Sequence, residues 1–391
     1  MSIKFSSRIN HMIPSGIRKV NEKALEMEQK GEKVYHLEIG RPDFDTPEYI
    51  KKACINSLNN GDVFYTSNFG YQALRSEVAK YLSEKKNIPT TLDEVLITVG
   101  LAEAIFDVLT SVLEEGDEIL VPNPVWMNYI NVPLMLGAVP ISYNLLEENG
   151  YQPDVKELKS LVTEKTKAIV LVSPNNPTGS MLDKESLENI SRLVIENDLV
   201  VISDEIYERL IYGESEHISI ASVPGMKERT ITLNGFSKAY SMTGWRIGYV
   251  SAPKEWLLFF NKVHQVNTTS APSFVQTAAI TALRDEQDEV EVMRKEYKKR
   301  RDYAVETINS IPGISCLKPT GAFYIFINIR NLGVTSQEFA AYLLEQEKVA
   351  MVPGDVFGSN GEGYLRMSFA NSFENIREGL QGLRRAVNKF T

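Results

Sequence analysis

The residue best suited to covalent chemistry in this sequence is Lys238, the last residue of the segment NGFSK at positions 234–238. The apolar residues 230–233 just before that segment predict a buried strand. A lysine that is partly desolvated at the end of such a strand loses its proton more easily, and its amine can then form a Schiff base. Most lysines are instead solvated at the surface, so the surrounding polar residues must decide between these two interpretations.

Three further predicted strands are followed by polar or small residues that suit ligand binding. Asn176 follows one strand, Asp204 and Tyr207 follow the next, and Gly100 separates a third strand from a predicted helix. In an open parallel sheet, ligands bind beyond the carboxyl ends of the strands. We therefore expect these residues to meet Lys238 at one edge of the sheet.

The chemistry of these groups predicts one ligand. A glycine at a strand-to-helix turn lets backbone N–H groups and the helix dipole bind an anion, and Ser237 and Arg246 can add donors to a phosphate. Asp204 can hold a positively charged ring nitrogen, while Tyr207 and Asn176 can hydrogen-bond a phenolic oxygen. With the lysine amine bonded to an aldehyde, this combination of phosphate, pyridinium, phenolate and aldehyde describes pyridoxal 5′-phosphate.

The elements that must position these residues alternate between short apolar runs and amphipathic helical segments. The apolar runs cover residues 95–99, 118–121, 168–172, 199–202 and 231–233, and residues 246–250 have the character of a further strand. The helical segments include residues 102–115 and 187–196. This alternation predicts an α/β fold, with a large domain built on a mostly parallel seven-stranded sheet that is covered by helices.

After about residue 283 the pattern changes to that of a smaller α+β domain. A charged helix is expected over residues 294–302, with a solvated face rather than a nucleic-acid patch because its charges are of mixed sign. We predict that residues 46–285 form the large cofactor-binding domain and that residues 1–45 and 286–391 form the small one. The hinge-like composition of residues 11–20 predicts a mobile N-terminal arm that orders over bound substrate.

Composition and charge exclude several classes of protein. The net charge of −9 disfavours nonspecific binding to nucleic acid, and no apolar run approaches the ~20 residues that a membrane helix needs. Cys54 and Cys316 are too few for a disulfide framework, and the first residues lack the apolar core of a signal peptide. We therefore expect a cytoplasmic protein without nucleic-acid or membrane partners.

Competing cofactor motifs are incomplete. Residues 200–205 resemble the acidic strand end of a P-loop ATPase, but the chain has no G-x-x-x-x-G-K-[ST] segment, and no G-x-G-x-x-G follows a strand. The four histidines lack the spacing of metal ligands. Neither a nucleotide nor a metal is therefore expected.

At the level of motifs, the chain resembles the fold-type I pyridoxal-phosphate aminotransferases of class I/II, in the bacterial and archaeal branch of aspartate, aromatic and alanine aminotransferases. The resemblance runs almost from end to end. Its most specific segments are SPNNPTG (173–179), SDEIY (203–207), SKAYSMTGWRIG (237–248), GRPDF (40–44) and YLRMS (364–368).

The resemblance implies catalytic roles for three positions. Lys238 would carry the cofactor and move a proton between the substrate Cα and the cofactor C4′. Asp204 would keep the pyridine nitrogen protonated, and Tyr207 would bond the O3′ oxygen. Arg366 would clamp the substrate α-carboxylate in bidentate fashion, with Gly40 beside the substrate.

The resemblance also implies a set of cofactor contacts and an assembly. The contacts are phosphate-binding backbone at Gly100, Leu101 and Ala102, phosphate donors at Ser237 and Arg246, a stacked ring at Trp126, and an O3′ and substrate contact at Asn176. Tyr65 would reach the phosphate of the neighbouring subunit. The expected assembly is therefore a homodimer with shared active sites.

The substrate stays open, and two alternative functions remain. A dicarboxylate substrate would need a second basic residue, for which Arg41 is a candidate, whereas Ile17 and Trp126 suggest an apolar side-chain pocket. The leading hypothesis is a ping-pong aminotransferase acting on an L-amino acid and a 2-oxo acid. A C–S β-lyase would use the same cofactor residues, because both reactions begin with loss of the Cα proton. A non-catalytic effector domain of a transcription regulator would need a helix-turn-helix segment, for which we expect too little preceding chain.

Overall fold

The structure is a computed structural model that describes residues 6–213, 216–284 and 288–391 of the 391-residue chain. The strands in chain order are β1 Tyr35–His36, β2 Val95–Thr98, β3 Glu118–Asn123, β4 Val139–Asn144, β5 Thr166–Val172, β6 Val200–Asp204, β7 Thr230–Gly235, β8 Gly248–Ser251, β9 Ser315–Cys316, β10 Tyr324–Asn328, β11 Val349–Ala350, β12 Val352–Pro353 and β13 Tyr364–Ser368. The helices are α1 Gly16–Gln29, α2 Glu48–Asn59, α3 Gln72–Lys86, α4 Leu101–Val112, α5 Asn128–Leu136, α6 Val155–Leu161, α7 Lys184–Glu196, α8 Lys254–Asn267, α9 Ser273–Arg284, α10 Asp288–Asn309, α11 Ser336–Glu347 and α12 Phe373–Phe390. Within the described ranges, no helix combines the length and the apolar character that crossing a bilayer requires.

The central sheet has seven strands in the spatial order β2-β8-β7-β6-β5-β3-β4. Its neighbouring strands are parallel except at β8, which runs antiparallel to both β2 and β7. This confirms the predicted α/β fold with a mostly parallel seven-stranded sheet. The edge strand β4 is mostly half-buried or exposed and contains Pro140, so it lacks the apolar run by which the other strands were recognised.

Helices cover both faces of this sheet. In β2, Val95 and Ile97 pack into a core shared with α2, α3 and α9, whereas Leu96 packs on the other side with α4 and α8. Successive side chains of a strand point to opposite faces. Because both faces are buried, the strands appear in the sequence as continuous apolar runs.

A second, four-stranded antiparallel sheet has the order β12-β13-β10-β9 and packs with α10, α11 and α12. The short strand β1 pairs in parallel with β11, so N-terminal residues join the C-terminal region. This arrangement agrees with a small domain of residues 1–45 and 286–391, which stays a prediction. The proposed boundary between residues 285 and 286 lies outside the described residues, and the mobility of residues 11–20 also stays a prediction.

Helix α10 corrects the expectation of a solvated charged face over residues 294–302. It is longer than expected, and two of its cations, Arg300 and Arg301, are buried. Arg300 forms an ion pair with Asp43 at 2.8 Å, and Arg301 donates to the carbonyl of Pro319 at 2.8 Å. The charge pattern alone did not reveal this, because Asp43 is distant in the sequence.

Candidate active site

The loops that follow β2, β5, β6 and β7 converge on one cavity of about 330 Å³. Eleven of the site residues predicted from the sequence line it: Gly40, Leu101, Ala102, Trp126, Asn176, Asp204, Tyr207, Ser237, Lys238, Arg246 and Arg366. The carboxyl-end rule for parallel sheets predicted this convergence for the residues that follow β2, β5, β6 and β7. Gly40, Trp126 and Arg366 were expected only from the family resemblance.

Lys238 lies just after β7 and lines this cavity. Its Nζ donates a hydrogen bond to the carbonyl of Gly40 at 2.7 Å, and the rings of Tyr207 and Phe323 are centred 5.7 and 5.6 Å from Nζ. Burial lowers the pKa of the amine to about 8, and the nearby charge of Arg366 acts in the same direction. An amine with this pKa is unprotonated in roughly one molecule in ten at pH 7, which suits a nucleophile and a base.

Asp204 ends β6 and is buried with its carboxylate fixed at both oxygens. Oδ2 accepts a hydrogen bond from the hydroxyl of Tyr129 at 2.8 Å, and Oδ1 accepts one from the backbone N–H of Ile206 at 3.1 Å. Burial raises the pKa of Asp204 to about 6, although both hydrogen bonds oppose the rise. The group is therefore mostly ionised at neutral pH and can hold a cationic ring nitrogen.

Two tyrosines form a pair beside Lys238. The hydroxyls of Tyr207 and Tyr324 lie 2.9 Å apart, and both side chains line the cavity. Tyr324 was not predicted as a site residue, because it begins β10 within an aromatic and aliphatic run that is typical of any core strand. Tyr129 was also missed, and a tyrosine three residues after Trp126 offers no signal of its own.

The turn before α4 forms a cradle for an anion. Gly100 has a φ of +75° and caps the helix without a side chain. A Cβ at this position would lie 2.4 Å from Nη2 of Arg246, so only glycine lets the guanidinium approach the turn. Free N–H groups at a helix start and an adjacent arginine are the donors that suit a phosphate.

Arg366 lies on β13 and is 1% exposed. Its Nη1 donates to Asn176 Oδ1 at 3.1 Å and its Nη2 donates to the carbonyl of Glu38 at 2.5 Å. Its Nε has no hydrogen-bond partner among the described residues. A buried guanidinium that is held by neutral oxygens and keeps a free donor is suited to an incoming carboxylate.

Two predicted contacts are not among the residues that line the cavity: Gly100, which lies at the turn beside it, and Tyr65. Tyr65 is 88% exposed, beside Phe64 at 80%. Two adjacent aromatic side chains exposed to this degree are unusual for a surface that stays in water. Their position is consistent with the predicted role toward a second subunit, which stays a prediction.

Known proteins are similar to this chain in sequence and in fold along almost their whole length. A family model described as aminotransferase class I and II matches residues 32–383. An aspartate aminotransferase from Pyrococcus abyssi is 43% identical over 387 residues, and aromatic-amino-acid aminotransferase 2 from Thermococcus litoralis is 40% identical over 390 residues, each match covering 98% of both chains. The solved structure of an aspartate aminotransferase from Thermus thermophilus with maleate is 37% identical and has a TM-score of 0.94, covering 98% of this chain and 100% of that chain.

Proposed function

The chain belongs to the class I and II aminotransferases, and on that premise we propose how its residues share the work of the reaction. Members of this family transfer an amino group between an L-amino acid and a 2-oxo acid, with pyridoxal phosphate as cofactor. Bound pyridoxal phosphate supplies an aldehyde that condenses with amines and a protonated ring that accepts the electrons released at the substrate Cα.

The residues of the cavity fit this cofactor in charge and shape. The Gly100 turn and Arg246 offer donors for the phosphate, and Trp126 lines the wall where the ring would stack. Asp204, mostly ionised at neutral pH, would hold the ring nitrogen in its protonated form. Tyr207 would donate to the phenolic oxygen.

Arg366 and Lys238 would act on different groups of the substrate. Arg366 would bind the α-carboxylate through its free Nε and an Nη group, which fixes the position of Cα. The Lys238 amine would take the proton from Cα and deliver it to C4′ of the cofactor. Its lowered pKa lets it alternate between the two protonation states near neutral pH.

The convergence of the Lys238 amine, the Asp204 carboxylate and the unpaired donor of Arg366 in one cavity carries this assignment. In a Lys238→Ala protein we expect loss of the absorbance of the lysine-bound cofactor and of nearly all transamination. Lys254→Ala, which removes an exposed lysine paired with Asp93, serves as a matched control and should keep both. Full turnover by Lys238→Ala would contradict the assignment.

We propose that the substrate side chain occupies an apolar part of the cavity and that a distal carboxylate can reach a cation at its rim. Ile17, Ile39, Ile105 and Trp126 line the cavity, as does the exposed Arg41. Relatives named as aspartate and aromatic aminotransferases support both kinds of donor.

A panel of amino acids mixed with the purified enzyme tests this substrate proposal. The change in cofactor absorbance should be fastest with aromatic amino acids and aspartate and slow with lysine, whose ammonium group would meet the apolar wall. Conversion by small aliphatic amino acids alone would contradict it.

We further propose a cytoplasmic homodimer with shared active sites. The exposed pair Phe64 and Tyr65 supports an interface with a second copy. Cys54 and Cys316 are both unpaired, as expected in a reducing compartment.

A further inference from the structure

A buried cluster of ionisable groups lies beneath the first turn of α4. Glu103 accepts hydrogen bonds from the backbone N–H of Val99, from the hydroxyl of Thr268 and, at 2.9 Å, from Nδ1 of His264. Asp107 Oδ2 lies 3.6 Å from the same ring nitrogen. Glu103 is 8% exposed, and Asp107 and His264 are fully buried.

Glu103 creates an electrostatic problem for the cofactor site. It belongs to the helix turn that begins at Leu101 and would bind the phosphate. Burial raises the pKa of its carboxyl, but the bonds from His264, Thr268 and Val99 outweigh burial and lower that pKa, so the group is ionised at neutral pH. A carboxylate there opposes a phosphate dianion, because both anions draw on the same helix N-terminus.

His264 supplies the opposite charge. Burial lowers the pKa of its ring, but the hydrogen bond to Glu103 and the negative charges of Asp107 and Glu103 outweigh burial and raise the pKa to about 9. The three ligand atoms lie within 4.8 Å of one another, close enough for a metal ion, yet the direct 2.9 Å bond places a ring proton between His264 and Glu103.

The other surroundings of α8 contribute no competing charge at the ring. Among the described residues, the carboxylates within 4 Å of His264 are those of Glu103 and Asp107, both from α4. The turn at residues 92–94 also packs on α8, where Asp93 is already paired with Lys254 at 2.8 Å. The charge of the ring is therefore set by the two carboxylates of α4.

We propose that His264 is a charge-compensating residue of the phosphate site. Its imidazolium neutralises Glu103 beneath the turn at Gly100 and so sets the affinity of the chain for the phosphate group of the cofactor. The inference rests on the proposed function, in which the phosphate binds at that turn. His264 acts through Glu103 and is a positioning residue, since it does not line the cavity.

The test compares binding of pyridoxamine 5′-phosphate with binding of pyridoxamine, so that only the phosphate differs. For His264→Gln we expect about tenfold weaker binding of the phosphorylated compound, the order expected for loss of one unit charge nearby at an effective dielectric constant of ~20. Pyridoxamine binding should not change. The double variant Glu103→Gln with His264→Gln removes both charges and should recover most of the lost affinity.

Two control variants separate this inference from the site assignment. The difference in binding between pyridoxamine 5′-phosphate and pyridoxamine is the phosphate contribution. His217→Gln replaces a histidine that is hydrogen-bonded to the Ser173 carbonyl and lies outside the cavity lining, and it should leave the phosphate contribution unchanged. Arg246→Gln should reduce that contribution. If Arg246→Gln reduces it and His264→Gln does not, the role of His264 is overturned while the site assignment stands. If neither reduces it, the phosphate site itself is misplaced and the inference fails with it.

A pH titration decides the matter if His264→Gln does not fold. In the unsubstituted protein the phosphate contribution should fall as the pH rises through about 9, the pKa of His264. In Glu103→Gln this fall should move to lower pH, because the ring loses one of the two carboxylates that raise its pKa. Identical pH profiles for the two proteins would overturn the proposal.

Discussion

At the scale of single residues, the hydrogen bond from Tyr129 to Asp204 favours the charged form of the carboxyl that we propose faces the cofactor ring. Burial favours the neutral carboxyl and this bond favours the carboxylate, so the pKa near 6 is the outcome of two opposing effects. A hydrogen bond to a charged group contributes about 1.5–3 kcal/mol. Its removal is therefore expected to move the pKa by about one unit or more.

We predict that Tyr129→Phe raises the pKa of Asp204 above 6. A neutral Asp204 no longer holds the ring nitrogen, so the acidic limb of kcat/KM should shift upward by about one pH unit. The pH–rate profile measures this shift. Tyr143→Phe is the matched control, because it removes a buried hydroxyl that donates to the Val170 carbonyl away from the cavity. Equal profiles for the two variants would argue against the role of Tyr129.

The sequence predicted the residues that follow strands and missed those that reach the site by tertiary packing. Lys238, Asp204 and Asn176 each follow a recognisable apolar run, so the sheet rule placed them together. Tyr129 and Tyr324 lie within a helix and a strand, where an aromatic residue is indistinguishable from core. Their hydroxyl contacts join residues 75 and 117 positions apart, which no local pattern encodes.

At the scale of elements, the turn between β2 and α4 is where the shape of the backbone and the proposed binding of a phosphate depend on each other. Gly100 meets two conditions there: it has a positive φ, and it leaves room for Arg246. Gly61 meets only the first condition. It has a φ of +83°, and no atom of the described residues lies within 4 Å of an added Cβ.

We predict that Gly100→Ala and Gly61→Ala differ in cofactor binding and not only in stability. Both should lower the free energy of unfolding by about 1–2 kcal/mol, because a side chain is strained at positive φ. Only Gly100→Ala displaces Arg246, so its dissociation constant for pyridoxal phosphate should rise by about tenfold, which corresponds to one lost charge-assisted hydrogen bond. Thermal unfolding and cofactor titration measure the two effects. Equal cofactor affinity in both variants would contradict the proposal that Gly100 and Arg246 form the phosphate site.

The elements themselves were predictable where both of their faces are buried. β2, β5, β6 and β7 matched continuous apolar runs, whereas β4 at the sheet edge did not. The buried cations of α10 were likewise missed, because Arg300 is matched by Asp43 from a distant segment. A local sequence pattern predicts whether a strand or helix is buried. It does not predict which distant charged residue will pair with a cation on that element.

At the scale of the whole molecule, the proposed homodimer would complete each site with a residue of the partner subunit. We predict that Tyr65→Ala and Lys238→Ala are each nearly inactive as homodimers and that refolding them together restores activity. In the mixed dimer, the subunit that keeps Lys238 receives Tyr65 from its partner, so one site is complete. Light scattering checks the dimer, and the recovered rate should approach about one quarter of the unsubstituted value for random mixing. Absence of recovery in verified mixed dimers would count against shared sites.

The segment that leads out of β1 has a consequence for substrate geometry. The carbonyl of Glu38 accepts from Arg366 and the carbonyl of Gly40 accepts from Lys238. Two residues of chain span at most about 7 Å and stretch very little. The segment therefore limits how far apart the Arg366 guanidinium and the Lys238 amine can lie while both bonds are kept. These are the groups that we propose bind the carboxylate and take the proton. A movement that separated the two groups beyond this limit would have to break one of the two bonds, so the main chain couples the position of the guanidinium to that of the amine.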